Sequence, residues 1–311
     1  MLAILNITLP LFLLIGVGYA CVRRGPFTPD HVRGMGAFVI NVALPALIFR
    51  LLSRNRLQDL IEWRYFLVYA TGSLVMLLGS FLYWRRAERL GRPSAAIRSF
   101  GMAASNSGFI GMPVATQFLG PHVGIAVGLT FVVENLLMLP GLLILGQEGG
   151  AGRRALARQI GRGLVRSPLI VAIVAAVLSL VLGVQPIAPL AKALDLLAAA
   201  SAPVALFVIG GSLVGIETRG MLWPVFGIGA AKLLLHPLAI FVMLQLVPVA
   251  DPVLRHGALL LAAVPMASSY PIFGQRYGEG PLAAAALLVT TASAFVTLNI
   301  MLWLLRSGLL G

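Results

Sequence analysis

The chain has 311 residues, 59% of them hydrophobic and 11% charged, with a mean hydropathy of +0.97, whereas a soluble domain normally carries about 25% charged residues. A formal charge of +13 and a pI near 11.3 would suit nucleic acid, but the arginines fall in short connections between apolar stretches, where a positive-inside bias puts them, so nucleic acid is excluded as a partner. The single cysteine, Cys21, excludes a disulfide framework and a cysteine-based metal site.

The apolar residues recur in stretches of about 20, each long enough to cross a hydrocarbon layer of roughly 30 Å. Ten spans are predicted, at about 3–22, 34–52, 65–84, 97–119, 123–145, 165–183, 192–214, 221–246, 255–274 and 281–305. The first has no basic lead and no small-residue cleavage site, and reads as a membrane span instead of a removable signal. Span 1 ends on Arg23-Arg24-Gly25-Pro26, basic residues followed by turn formers. Span 2 contains Asn41-Val42-Ala43-Leu44-Pro45, and span 5 carries Glu134-Asn135 near its centre. Trp63, Trp84, Trp223 and Trp303 fall near span ends, where indole rings anchor at the interface.

Two spans are interrupted by polar, helix-breaking residues. Span 4 holds Ser105-Asn106-Ser107-Gly108-Phe109-Ile110-Gly111-Met112-Pro113, and span 9 holds Pro265-Met266-Ala267-Ser268-Ser269-Tyr270-Pro271. A proline inside a helix has no N–H to donate, and in lipid such a break survives only where protein or a polar cavity satisfies the backbone. Matched breaks in the two halves of a chain point to a transport site between them. The alternative is a pair of interfacial loops joining short helices.

Between spans 5 and 6 lies the most polar connection, with Gly149-Gly150 and five arginines from Arg153 to Arg166. It has room for a short interfacial helix. It divides the chain into a first five-helix repeat (1–146), a cytoplasmic connection (147–164) and a second repeat (165–311). Adding 158 to Pro10, Pro45 and Pro113 gives Pro168, Pro203 and Pro271, which pairs spans 1 with 6, 2 with 7 and 4 with 9. Five spans per half is an odd number, so the second half enters the membrane in the opposite sense. The expected fold is thus an all-α integral membrane protein of ten transmembrane helices in two inverted repeats.

Counting the Lys and Arg that flank each span, alternate connections starting with 1–2 hold fifteen and the others six. The first set is expected in the cytoplasm and both termini outside. Arg50, Arg54, Arg56 and Arg64 run against this assignment.

The N–H ends of broken helices suit the anionic group of a substrate, and carbonyl and hydroxyl ends suit a cation. The substrate-binding residues expected on this ground are Ser105, Asn106, Ser107 and the Gly108–Gly111 backbone at the first break, with Ser268, Ser269 and Tyr270 at the second. Membrane serines also bond to their own preceding turn, which is the structural alternative. Glu134 is the one acid near the centre of a span and must face the interior. It is the expected site of proton or sodium coupling, with Asn135 beside it. Lys232 and His236 lie four apart on span 8, on one helix face, where Lys232 would either balance Glu134 or hold a negative substrate. Asn41, Gln117, Gln275 and Asn299 are interior amides that can join helices, and Asn41, one turn before Pro45, is the strongest of them as a cavity residue.

No phosphate loop, nucleophile–histidine–acid set or metal-ligand cluster occurs, so neither an enzyme nor a cofactor is expected, and secondary transport is.

Taken in order, Asn41 to Leu47, Ser105 to Val114, Glu134-Asn135, Lys232 with His236-Pro237, and Val264 to Ala267 resemble the auxin efflux carrier family. The likeness is to its bacterial branch, which includes candidate malonate transporters. The resemblance spans nearly the whole chain and implies a fold similar to bile acid sodium symporters, with crossed helices 4 and 9 broken at Pro113, Pro265 and Pro271 and a further helix break at Pro45 in helix 2. It also implies a homodimer in the bacterial inner membrane and an organic carboxylate as substrate. The second break has Ser268-Ser269 where an asparagine counterpart of Asn106 would stand, so the two halves differ chemically. Two other readings stay open, a sodium-coupled symporter of an amphipathic anion and a receptor or channel-like protein on the same bundle.

Overall fold

A computed structural model describes residues 2–54, 62–147, 153–216 and 221–310. Arg56, Gly149, Gly150 and Arg219, which entered the turn and charge readings, lie outside them. The described chain is helical, in the order α1 (Leu2–Arg24), α2 (Pro29–Leu52), α3 (Trp63–Arg86), α4 (Arg92–Ala103), α5 (Met112–Leu119), α6 (Pro121–Leu145), α7 (Arg153–Val165), α8 (Pro168–Val181), α9 (Ala188–Ser212), α10 (Leu222–Leu246), α11 (Pro252–Ala263), α12 (Tyr270–Arg276) and α13 (Gly280–Arg306). Seven of these are long and apolar enough to cross a membrane, or eight when the bent pair α7–α8 counts as one.

Four helical stretches share a local device. Wide π turns occupy Val39–Ala43, Ser107–Gly111, Glu134–Met138 and Ala231–Leu235, and each ends two residues before a proline: Pro45, Pro113, Pro140 and Pro237. A proline offers no N–H and its ring crowds the carbonyl four residues back. Widening the preceding turn relieves that clash without ending the helix. Every one of these turns carries a polar residue singled out above: Asn41, Ser107, Glu134 with Asn135, or Lys232.

Helices α1, α2, α8 and α9 pack on one another, and α3, α4, α10, α11, α12 and α13 form a second set, with α6 bridging both. At the α1–α9 crossing the backbones nearly touch. A Cβ on Gly210 would lie 1.8 Å from Ile15 O, so only glycine permits that approach. Asp195 on α9 receives Arg50 Nε and Nη2 at 2.7 and 2.9 Å, and Arg54 at 3.0 Å. Two of the four arginines that ran against the charge rule therefore share one carboxylate on a neighbouring helix, which offsets one of their two charges. Asn299 joins α13 to α1 by accepting from Thr8 Oγ1 at 3.0 Å.

Trp84 corrects the expectation for span-end indoles. It is 5% exposed, with the Arg98 guanidinium 5.1 Å from its ring centre, whereas Trp63, Trp223 and Trp303 are exposed. Arg98 in turn pairs with Glu279 at 3.1 Å, so Trp84 packs against a half-buried ion pair that ties α4 to the loop before α13.

Asp251 starts α11 by accepting from Val253 N at 2.7 Å and Leu254 N at 3.4 Å, and it contacts His122 Nε2 at 2.9 Å. Burial alone would raise its carboxyl, but the bonds from His122 and the backbone outweigh it and hold the pKa below the ordinary carboxylate value. A depressed folded pKa stabilises above the unfolded value of about 3.9, and the contribution is lost as pH falls through the folded one. Asp251→Ala is expected to cost about 1 kcal/mol at neutral pH, as lost N-caps do. Melting curves of both proteins should converge toward acid; a constant gap down to pH 3 would reject the assignment.

Candidate functional site

Both helix breaks fall at the centre of the bundle and bond to each other. After α4 ends at Ala103 the chain turns extended at Ala104, and Ser105 pairs with Met266 in an antiparallel bridge. Asn106 N donates to Pro265 O at 2.8 Å, satisfying a carbonyl whose own residue is a helix breaker. The Asn106 side chain works in both directions. Its Oδ1 accepts from Phe109 N at 3.3 Å, capping the following turn, while Nδ2 donates to Ser268 Oγ at 2.6 Å across the crossing. The amides of Ser107 and Gly108 come first in that turn and have no helical carbonyl to bond.

Ser107 Oγ donates to Glu134 Oε1 at 2.7 Å, and Ser105 N approaches the same oxygen at 3.3 Å. Glu134 is thereby held against the first break by one oxygen, and Oε2 has no protein partner among the described residues. A cavity of about 280 Å³ opens here. Its polar wall is Ser105, Asn106, Ser107, Glu134, Asn135, Ser167, Ser268 and Ser269, and its apolar wall includes Phe100, Phe109, Phe131 and Phe273. Among the described residues, Glu134 is the one ionisable side chain on that wall.

Gly108 also lines the cavity, but four other expected residues do not. Asn41 turns outward and donates to Ala37 O at 2.7 Å in its own preceding turn; Ile40 and Leu44, four apart, are the residues that α2 presents to the cavity. Gly111 sits behind the wall, where a Cβ would lie 2.8 Å from Leu261. Tyr270 is buried against Gly101, where a Cβ would meet its ring at 2.6 Å. Lys232 is fully buried elsewhere. Its Nζ donates to Ala262 O at 2.6 Å and meets His236 Nδ1 at 3.1 Å, and His236 Nε2 lies 3.0 Å from Ser73 Oγ. Ala262 is in the last turn of α11, so its carbonyl is one that the broken helix leaves without a partner and the ammonium supplies one. An ammonium accepts no hydrogen bond, so with Lys232 charged, His236 is neutral with its proton on Nε2. Lys232 and Glu134 attract each other but are not within the 4.0 Å of an ion pair.

The sequence reading passed over span 3. Tyr69 OH donates to Ser105 Oγ at 3.3 Å, Ser73 supports His236, and Tyr65 OH bonds Thr130 Oγ1 at 2.7 Å. Their spacing of four along one helix face was the available signal. Ser167, Pro168 and Leu169, at the start of α8, were also missed as cavity wall.

Several membrane-length helices around a centre made of broken helices and an interior polar cavity define a multi-pass membrane transporter. The membrane transport protein family matches residues 3–302, and the chain belongs to it. It is 31% identical over 321 residues to a Rhizobium meliloti (strain 1021) protein named "Putative malonate transporter", covering 100% of this chain and 98% of that one. An Escherichia coli (strain K12) protein named "Uncharacterized transporter YfdV" is 27% identical over 97% of this chain and 96% of its own length. Auxin efflux carrier component 2 of Arabidopsis thaliana is 27% identical over 151 residues, 48% of this chain and 23% of that protein. The chain is accordingly a transporter and not an enzyme.

Proposed function

We propose that this transporter carries a small organic anion across the inner membrane by alternating access, with the anion at the crossing of the two broken helices and a proton on Glu134 as its companion. The observation that carries the reading is the cavity wall: free turn amides at Ser107 and Gly108, hydroxyl and amide donors, and a single carboxyl group. An anion beside an ionised Glu134 would be repelled in a medium of low dielectric, so loading favours the protonated carboxyl. The relative named for malonate supports a carboxylate substrate. The four phenyl rings favour a second reading, an amphipathic monocarboxylate with sodium as the coupling ion. A thermal-shift screen against mono- and dicarboxylates, with and without sodium, separates the two.

The inverted ten-span arrangement belongs to the same proposal. Shifting the first residues of α2, α3, α4 and α6 by 158 gives 187, 221, 250 and 279, and α9, α10, α11 and α13 begin at Ala188, Leu222, Pro252 and Gly280. Helices α4 and α11 both have 12 residues, and Pro113 and Pro271 are each the second residue of the half-helix that follows. These correspondences support two repeats of one plan.

Asn106 tests the site. Asn106→Asp keeps the oxygen that caps Phe109 N but loses the donor to Ser268 and adds a negative charge. Initial uptake into proteoliposomes is expected to fall about tenfold or more, because the new carboxylate repels the anion at close range in a medium of low dielectric, with the melting temperature nearly kept. Unchanged uptake would remove the crossing as the binding site.

A further inference from the structure

Helix α7 carries a row of arginines with no acid paired to them among the described residues. Positions 158, 162 and 166 are all arginine, four apart, so they run as a stripe along one face. Arg158, Arg162 and Arg166 are exposed and have no acidic partner among the described residues. Four other described arginines do have an acid beside them: Arg50 and Arg54 share Asp195, Arg98 takes Glu279 and Arg33 takes Asp30. On α7 the three guanidinium groups instead surround a depression of about 360 Å³. Gly161 forms its floor, with open space where a Cβ would stand, and Val165, 77% exposed, forms its rim. Ile160 and Leu164, on the opposite face, are half-buried toward the bundle.

We propose that this arginine face docks the headgroup of an anionic phospholipid. The phosphodiester supplies the acid that the protein withholds, and arginine forks match phosphate oxygens in pairs. The source is lipid because of where the stripe lies. Two residues after α7 ends, the apolar α8 begins at Pro168, bent by 60° from α7, so the guanidinium groups stand at the membrane boundary beside an exposed valine that can meet the first methylenes of an acyl chain.

The docking site also has a mechanical connection. Arg166 lines the headgroup depression, and the next three residues, Ser167, Pro168 and Leu169, line the central cavity. A lipid held on Arg158, Arg162 and Arg166 therefore fixes the residue next to the cavity wall.

The test uses the full chain in neutral detergent and does not depend on which solute is transported. Melting temperature is followed during titration with a short-chain phosphatidylglycerol, with phosphatidylcholine of the same chain length, and with inorganic phosphate. Phosphatidylglycerol alone is expected to raise it in a saturable manner. Arg158→Gln/Arg162→Gln/Arg166→Gln should need at least tenfold more of that lipid, given that each cation near an anionic surface is worth about a factor of five. The matching triple lysine variant should keep most of the response, which separates lost charge from damaged folding. An equal response to phosphatidylcholine, to phosphate, or in the glutamine variant would overturn the proposal.

Discussion

Replacing Lys232 with methionine should lower the melting temperature of the detergent-purified protein by about 6 °C or more and abolish transport. The methionine chain fills most of the same space, so the loss isolates the ammonium. Without it, Ala262 O and His236 Nδ1 are left buried with no donor, at about 1–3 kcal/mol each. In a chain of this size each kcal/mol moves the midpoint by about 2–4 °C. The damage would reach the crossing directly, because α11 ends one residue after Ala262 and the next segment is the one that bonds Asn106 and Ser105. Lys232 thus acts as a fixed hydrogen-bond donor at the carbonyl end of a broken helix and does not line the cavity. A melting temperature within about 1 °C of the parent would show that the two acceptors find other partners and would reject this role.

Glu134→Gln is the second large effect. Glutamine keeps the shape and an oxygen to accept from Ser107 and Ser105, but it cannot take up or release a proton. Uphill accumulation driven by a pH gradient should disappear. Exchange of the anion between two equally loaded compartments should persist, because a neutral side chain resembles the protonated state in which the anion is accepted. The pair of measurements matters more than either alone. Gradient-driven uptake that survives the change would make Glu134 a structural acceptor for the first break. Loss of exchange as well as uptake would place its carboxyl in anion binding instead of coupling.

Much of the architecture was legible in local chemistry. Helix α7 was expected in outline as a short interfacial helix, and the two breaks announced themselves through proline, glycine and hydroxyl residues inside apolar stretches. Asn106, Ser107, Ser268 and Glu134 were singled out from residue type alone, and the fold gathers all four around one cavity. The differences share a form: Asn41 and Tyr270 were correctly placed on their helices and expected on the cavity face, and Lys232, of whose two expected roles one was to hold the substrate, also stands off the cavity wall. Trp84 was likewise assigned to the interface from its position at a span end, without knowledge of Arg98 and Glu279 beside it.

Local chemistry was enough to place the chain in a membrane, to locate where its helices must bend and to mark which polar groups had to be hidden, because composition, proline geometry and the cost of a bare charge in lipid are properties of short segments. Facing was decided only in three dimensions. Each wide turn before a proline inserts one extra residue and rotates everything beyond it by about 100°, so a helical count of 3.6 loses its phase at the very places where Asn41, Ser107, Glu134 and Lys232 stand. Whether such a residue then looks into the cavity, into a neighbouring helix or toward lipid depends on what packs against it, and that information is spread over segments that can lie more than a hundred residues apart, as Asn106 and Ser268 do.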